Sequence, residues 1–265
     1  MSAPSFAERL LQDYGVDRPE DIDLEAIAYD KGALVKYRPL NGCEARIVGL
    51  GDSAIITIDP EAIKERKRFS LAHEIGHWMQ DRGTQAHACK KSDIGPQRSA
   101  GNTRESEANR FASQLLMPDY LFKPLCAKKP LTFVTAAELA KRFRTSLTAT
   151  AIKLVQTGNS PGMVVCYRNR KFDWMTPGPD VPKALQRTWP MLDEHTQAHE
   201  LFAGILSGDA TRPQLIDADC WIDEDNAADY TLTEHAIMVA ADTVVTLLWW
   251  HDESQIRDCD DRHTS

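Results

Sequence analysis

The chain has 265 residues, of which 42% are hydrophobic and 26% charged. Such a composition excludes a disordered or collagen-like chain and leaves room for one large domain or two modest ones. Thirty-one Lys and Arg against 39 Asp and Glu give a formal charge of -8, so the molecule as a whole is a poor binder of polyanions.

The charge is unevenly spread. Up to Thr157 there are 23 basic and 20 acidic residues; from Gly158 onward there are 8 and 19. The turn-forming stretch 157–162 lies between these halves and suggests a boundary, giving domains 1–157 and 158–265. Six cysteines at wide, irregular spacing, none in a C-x-x-C pair, read as buried or free thiols of a reducing compartment. The longest apolar stretch, 236–250, is too short to span a bilayer and contains Asp242. The first fifteen residues lack a basic start followed by an apolar run. A cytoplasmic protein with no membrane association is expected.

In chain order, residues 5–14 and 23–30 have apolar residues at helical spacing, with Asp23 as a cap and Gly32 as a stop. Strand-like runs follow at 33–37, 45–48 and 54–58 and suggest a small antiparallel sheet. A long helix is predicted over 61–80, a polar irregular loop over 83–102, and a second strong helix over 104–117, stopped by Pro118. Residues 135–156 form two short helices joined at 144–146, resembling a helix-turn-helix. In the acidic half, 163–167 and 171–175 suggest a hairpin, and 236–250 is read as strand. The fold class is α+β.

Chemistry concentrates at His73-Glu74-Ile75-Gly76-His77. Residues four apart share one helix face, so His73 and His77 can bind one metal ion from the same side. Glu74, about a quarter turn away, can act as general base on water held there. Such a site needs a third protein ligand and an open fourth position. The helix over 104–117 offers Glu105 and Asn109 on one face, and small Ala108 and Ala112 permit close approach to the first helix. Asn109 could accept a hydrogen bond from the far nitrogen of a histidine and fix its tautomer.

The run 68–77, followed by Glu105-x-x-Ala108-Asn109-x-Phe111-Ala112 and Leu115-Leu116-Met117-Pro118, resembles the ImmA/IrrE family of bacterial metallopeptidases. The resemblance covers roughly residues 5–157. It implies a zincin-like fold, with a small sheet beside a pair of active-site helices. It also implies His73, His77 and Glu105 as ligands of Zn2+, with Mn2+ or another divalent ion as alternatives. Glu107 is the alternative third ligand, although a helix places it about 160° from Glu105. The implied partner is a DNA-binding repressor encoded nearby, cleaved to induce a stress, DNA-damage or mobile-element response. A different reading is a metal-binding regulator or toxin–antitoxin-type protein with little peptidase activity.

Other features admit plainer readings. Residues 54–58 could be an exposed edge that pairs with a substrate peptide, or a paired core strand. The helices of 135–156 carry few polar base readers, which favours packing over DNA contact. Glu65-Arg66-Lys67-Arg68 could attract an acidic substrate but reads more simply as a solvated helix face. His195 and His199 have helical spacing without the intervening Glu. The oxyanion-stabilising group is not named by any motif; Tyr120 and His87 are guesses. Five of the six Trp lie in the acidic half, which is a candidate for sensing, dimerisation or substrate recognition.

Overall fold

The computed structural model describes residues 3–80, 87–89 (backbone only), 103–157, 160–224, 227–251, 254 and 256. Two compact units emerge: residues 1–125 with 140–146, and residues 126–139 with 147–265. The helical segment 135–156 is thus divided between the two, whereas the sequence reading placed all of it with the first.

In the first unit, α1 (Phe6–Asp13) opens at Ser5, whose hydroxyl accepts from Glu8 N while the Glu8 carboxylate accepts from Ser5 N. The α2 helix (Leu24–Asp30) is capped by Asp23, which accepts from Ala26 N at 3.0 Å. Just past its end Gly32 has φ +82°, and a Cβ there would lie 2.5 Å from the Asp52 carbonyl oxygen, so only glycine fits.

Strands β1 (Ala33–Tyr37), β2 (Ala45–Leu50), β3 (Ser53–Ile58) and β4 (His87–Cys89) form one sheet in the order β1-β3-β2-β4. The expected antiparallel sheet is in fact mixed: β2 pairs antiparallel with β3 and β4, but β1 runs parallel to β3. The β2–β3 hairpin closes tightly at Gly51, and β1 joins the far side of β3, which reverses its sense relative to a meander. β3 is therefore paired on both sides, and the reading of 54–58 as an edge for substrate is corrected. β4 lies inside the segment predicted to be loop; the rest of that segment is outside the described residues.

The α3 helix (Lys64–Gln80) begins three residues later than expected, after Pro60. It packs on this sheet with Leu71, Ala72 and Ile75 buried, as are Ile47, Ile56 and Ile58. Beside it runs α4 (Thr103–Leu116). Pro118 then precedes α5 (Asp119–Cys126), a helix that the sequence reading did not contain. α6 (Phe133–Phe143) and α7 (Leu147–Gln156) follow, with Arg144 between them at φ +55°.

The second unit centres on a five-stranded antiparallel sheet, ordered β6-β5-β9-β8-β7. β5 (Gly162–Arg168) and β6 (Lys171–Pro177) form the predicted hairpin, turning through Asn169 and Arg170, both at positive φ. A short helix, α8 (Gln197–Phe202), and β7 (Gln214–Asp217) come next. The run read as strand over 236–250 is two strands, β8 (Thr231–Ala240) and β9 (Thr243–Trp249). Trp221, Trp250, Tyr167 and Leu232 anchor the core of this unit. Among the described residues no helix is long and apolar enough to cross a membrane. Cys43, Cys126, Cys166 and Cys220 are not joined to one another by disulfides.

Candidate metal centre

The 3.6-residue repeat of α3 stacks His73 over His77, and their rings meet edge to face with centroids 4.6 Å apart. Both are buried, with 0% and 3% exposure, and Glu74 is buried at 0%. Their Nε2 atoms stand 3.0 Å apart. From α4, Glu105 Oε2 reaches to 3.1 Å from His73 Nε2 and 3.4 Å from His77 Nε2. The two imidazoles beside it hold the Glu105 carboxyl well below the usual carboxylate range. These three side chains form a group whose donor atoms all lie within 4.8 Å of one another. Glu107, the alternative, is exposed on α4 and outside this group.

Asn109, buried one turn beyond Glu105, places Oδ1 3.0 Å from His73 Nδ1. An amide oxygen can only accept, so Nδ1 carries the proton and donates. Nε2 then keeps its lone pair, aimed at the cluster. Two imidazole nitrogens and one carboxylate oxygen, with one histidine oriented from behind, make a donor set that fits a divalent transition metal and leaves a coordination position open.

Small residues set the spacing of the two helices. A Cβ added at Gly76 would lie 3.3 Å from Ala108 Cα and 3.1 Å from Phe111 Cδ1. Ala108 and Ala112 are fully buried, as their expected role in close approach requires. Gly76 was not singled out from the sequence, although a glycine inside a helical motif was the available signal.

The other sequence candidates lie elsewhere. The Tyr120 hydroxyl donates to the Val16 carbonyl at 2.6 Å. The His87 side chain is outside the described residues. His195 precedes α8 and pairs with Asp193 at 2.9 Å, so it does not share a helix face with His199.

Residues 28–155 match the peptidase M78 family through its IrrE N-terminal-like domain. The matched segment, just under half of the chain, is an M78-type domain. The M78 family comprises metallopeptidase-like regulators, which accords with the resemblance read from the two helix motifs. No curated protein matches the chain in sequence. Among solved structures, a Mycobacterium tuberculosis transcriptional regulator is similar, with a TM-score of 0.65 and 14% identity over 94% of this chain and 76% of that one. At that identity the likeness speaks to the fold.

Proposed function

We propose that this protein, through its M78-type domain, is a metal-dependent endopeptidase that cuts a specific partner protein, a DNA-binding repressor being the partner class implied by the family. The observation that carries this reading is the convergence of His73, His77 and Glu105 beside buried Glu74, with the His73 tautomer set by Asn109. His73 Nε2, His77 Nε2 and Glu105 hold the ion, taken to be Zn2+ by analogy with the family, with Mn2+ as an alternative. A divalent ion there supplies Lewis-acid charge that acidifies water and polarises a peptide carbonyl.

The chain's own groups do the remaining work. The Glu74 carboxylate accepts a proton from the attacking water and delivers it to the leaving amine nitrogen as the C–N bond breaks. Asn109 Oδ1 keeps the His73 ring from rotating or changing tautomer. The acidic region 158–265 serves sensing, dimerisation or substrate recognition, and its composition suits a basic partner.

A second reading, a regulator that binds metal without cleaving peptides, is favoured by the likeness to a transcriptional regulator. One experiment separates the two. The purified chain and Glu74→Gln are incubated with zinc or manganese and the repressor encoded beside the gene. Cleavage by the parent alone supports the peptidase. Metal binding by both, with the repressor intact, supports the regulator.

A further inference from the structure

The first unit holds a cavity of about 630 Å³ with a strongly basic wall. Lys64, Lys67 and Arg68 come from the first turns of α3, while Lys141 and Arg144 come from the end of α6 and the residue after it. Two carboxylates, Glu25 and Glu65, face the same space. Glu25 already accepts from the Tyr37 hydroxyl at 2.5 Å. Leu24, Leu71 and Ala140 supply apolar wall. The volume falls within the roughly 300–1,000 Å³ typical of small-molecule sites.

Arg68 distinguishes this cavity from an ordinary solvated cluster. Its Nε and Nη2 are buried and have no hydrogen-bond partner among the described residues. Those two N–H groups form one edge of the guanidinium. Arg18 uses the same edge to hold both oxygens of Asp21, at 3.0 Å each. Arg68 therefore holds an unsatisfied two-pronged N–H edge, closed to a molecule the size of water, on a side chain that lines the cavity. Arg144 is fixed nearby by donating to the carbonyls of Glu20 at 3.2 Å and Ile22 at 3.1 Å. Lys67 is partly committed, donating to the Pro60 carbonyl at 3.0 Å.

We infer that this cavity is a binding site for a small organic phosphate, whose phosphoryl oxygens engage the Arg68 fork once that side chain turns it toward the cavity, and whose remaining charge is met by Lys64, Lys141 and Arg144. Five cations against two carboxylates favour an anion with more than one charge. The apolar wall and the volume favour an organic body over a bare inorganic ion. Burial, followed by the charge of Arg144, lowers the Arg68 guanidinium to about 10, and an anion at the fork relieves both effects. Arg68 lies on the same helix as His73, five residues earlier, yet the cavity is lined by none of the metal-centre residues.

The test is calorimetric titration of the full chain at constant ionic strength. Fructose 1,6-bisphosphate, inorganic phosphate and succinate are the probes. The bisphosphate should bind saturably at one site, more tightly than phosphate or succinate. Arg68→Met should weaken it by about tenfold or more, the scale of a charge-assisted hydrogen-bond pair. Lys141→Gln, an exposed change that leaves the core intact, should weaken it about threefold or more. Glu105→Gln should leave it unchanged. No saturable binding, equal binding by both basic-site variants, succinate binding as tightly as the bisphosphate, or loss of binding in Glu105→Gln would each overturn the proposal.

Discussion

Gly76 and Ala108 meet backbone to backbone where α3 crosses α4, and a Cβ at Gly76 would lie 3.3 Å from Ala108 Cα and 3.4 Å from its carbonyl oxygen. The contact brings Glu105, one turn earlier on α4, up to the two histidines. It also makes Gly76→Ala a test of that geometry. Helix propensity alone would make alanine more stable by about 1 kcal/mol. Crowding against backbone opposes this, and overpacking of a tight contact costs about 1–3 kcal/mol. The expected net result is a small loss of stability in denaturant unfolding and several-fold weaker zinc affinity. A stabilised variant with unchanged affinity would show that α4 yields freely and does not set the ligand spacing.

Asn109 controls which nitrogen of His73 is free. Asn109→Ala removes the acceptor on Nδ1 and lets the ring change tautomer or turn. Loss of such a partner typically weakens metal binding about 10–100-fold. Asn109→Asp keeps an acceptor of the same shape and should retain affinity within a few-fold. Competition with a chromophoric chelator measures both. Equal affinity in the parent and Asn109→Ala would remove Asn109 from the site.

Features encoded over a few residues were the readable part of this chain. Asp23 and Gly32 bracket α2, and the β5–β6 hairpin joins two short strand-like runs through a tight turn at Asn169 and Arg170. His73 and His77 were legible because a single helix fixes their relation. Glu105 was legible only through the second motif, since its approach to the histidines depends on how α4 packs against α3. The parallel pairing of β1 with β3 was hidden because partner choice is a long-range matter that strand propensity does not encode. α5 was hidden because Pro118 and Pro124 both carry the local signature of a break. Arg68 read as a solvated cation because nothing local announces that its guanidinium edge is buried.

Glu8 links two helix starts that are far apart in sequence. One carboxylate oxygen accepts from Ser5 N at 2.8 Å, closing the capping box of α1, and the other accepts from Asp119 N at 2.7 Å, at the start of α5. Glu8→Ala leaves both amides without this acceptor and should cost about 2–3 kcal/mol in urea unfolding. Glu8→Gln retains one acceptor and should cost about half as much. If the two variants proved equally stable, the double cap would not contribute as described.

Glu234 gives the second unit a pH dependence of definite sign. It is buried on β8, and its two oxygens accept from Gln197 N at 3.1 Å and Ala198 N at 2.8 Å, at the start of α8. Burial outweighs those bonds and raises its carboxyl from 4.5 to about 7. The folded state therefore binds the proton more tightly than the unfolded state does. Its contribution is fully present below pH 4.5 and is lost as pH rises through about 7. A shift of this size corresponds to a loss on the order of 3 kcal/mol by pH 8. Unfolding midpoints measured from pH 5 to 8 should fall with this slope in the parent. Glu234→Gln should flatten the slope, even though its amide accepts one fewer backbone bond and lowers stability at pH 5. An equal slope in both proteins would mean that Glu234 stays ionised in the fold, held by the two amides of α8.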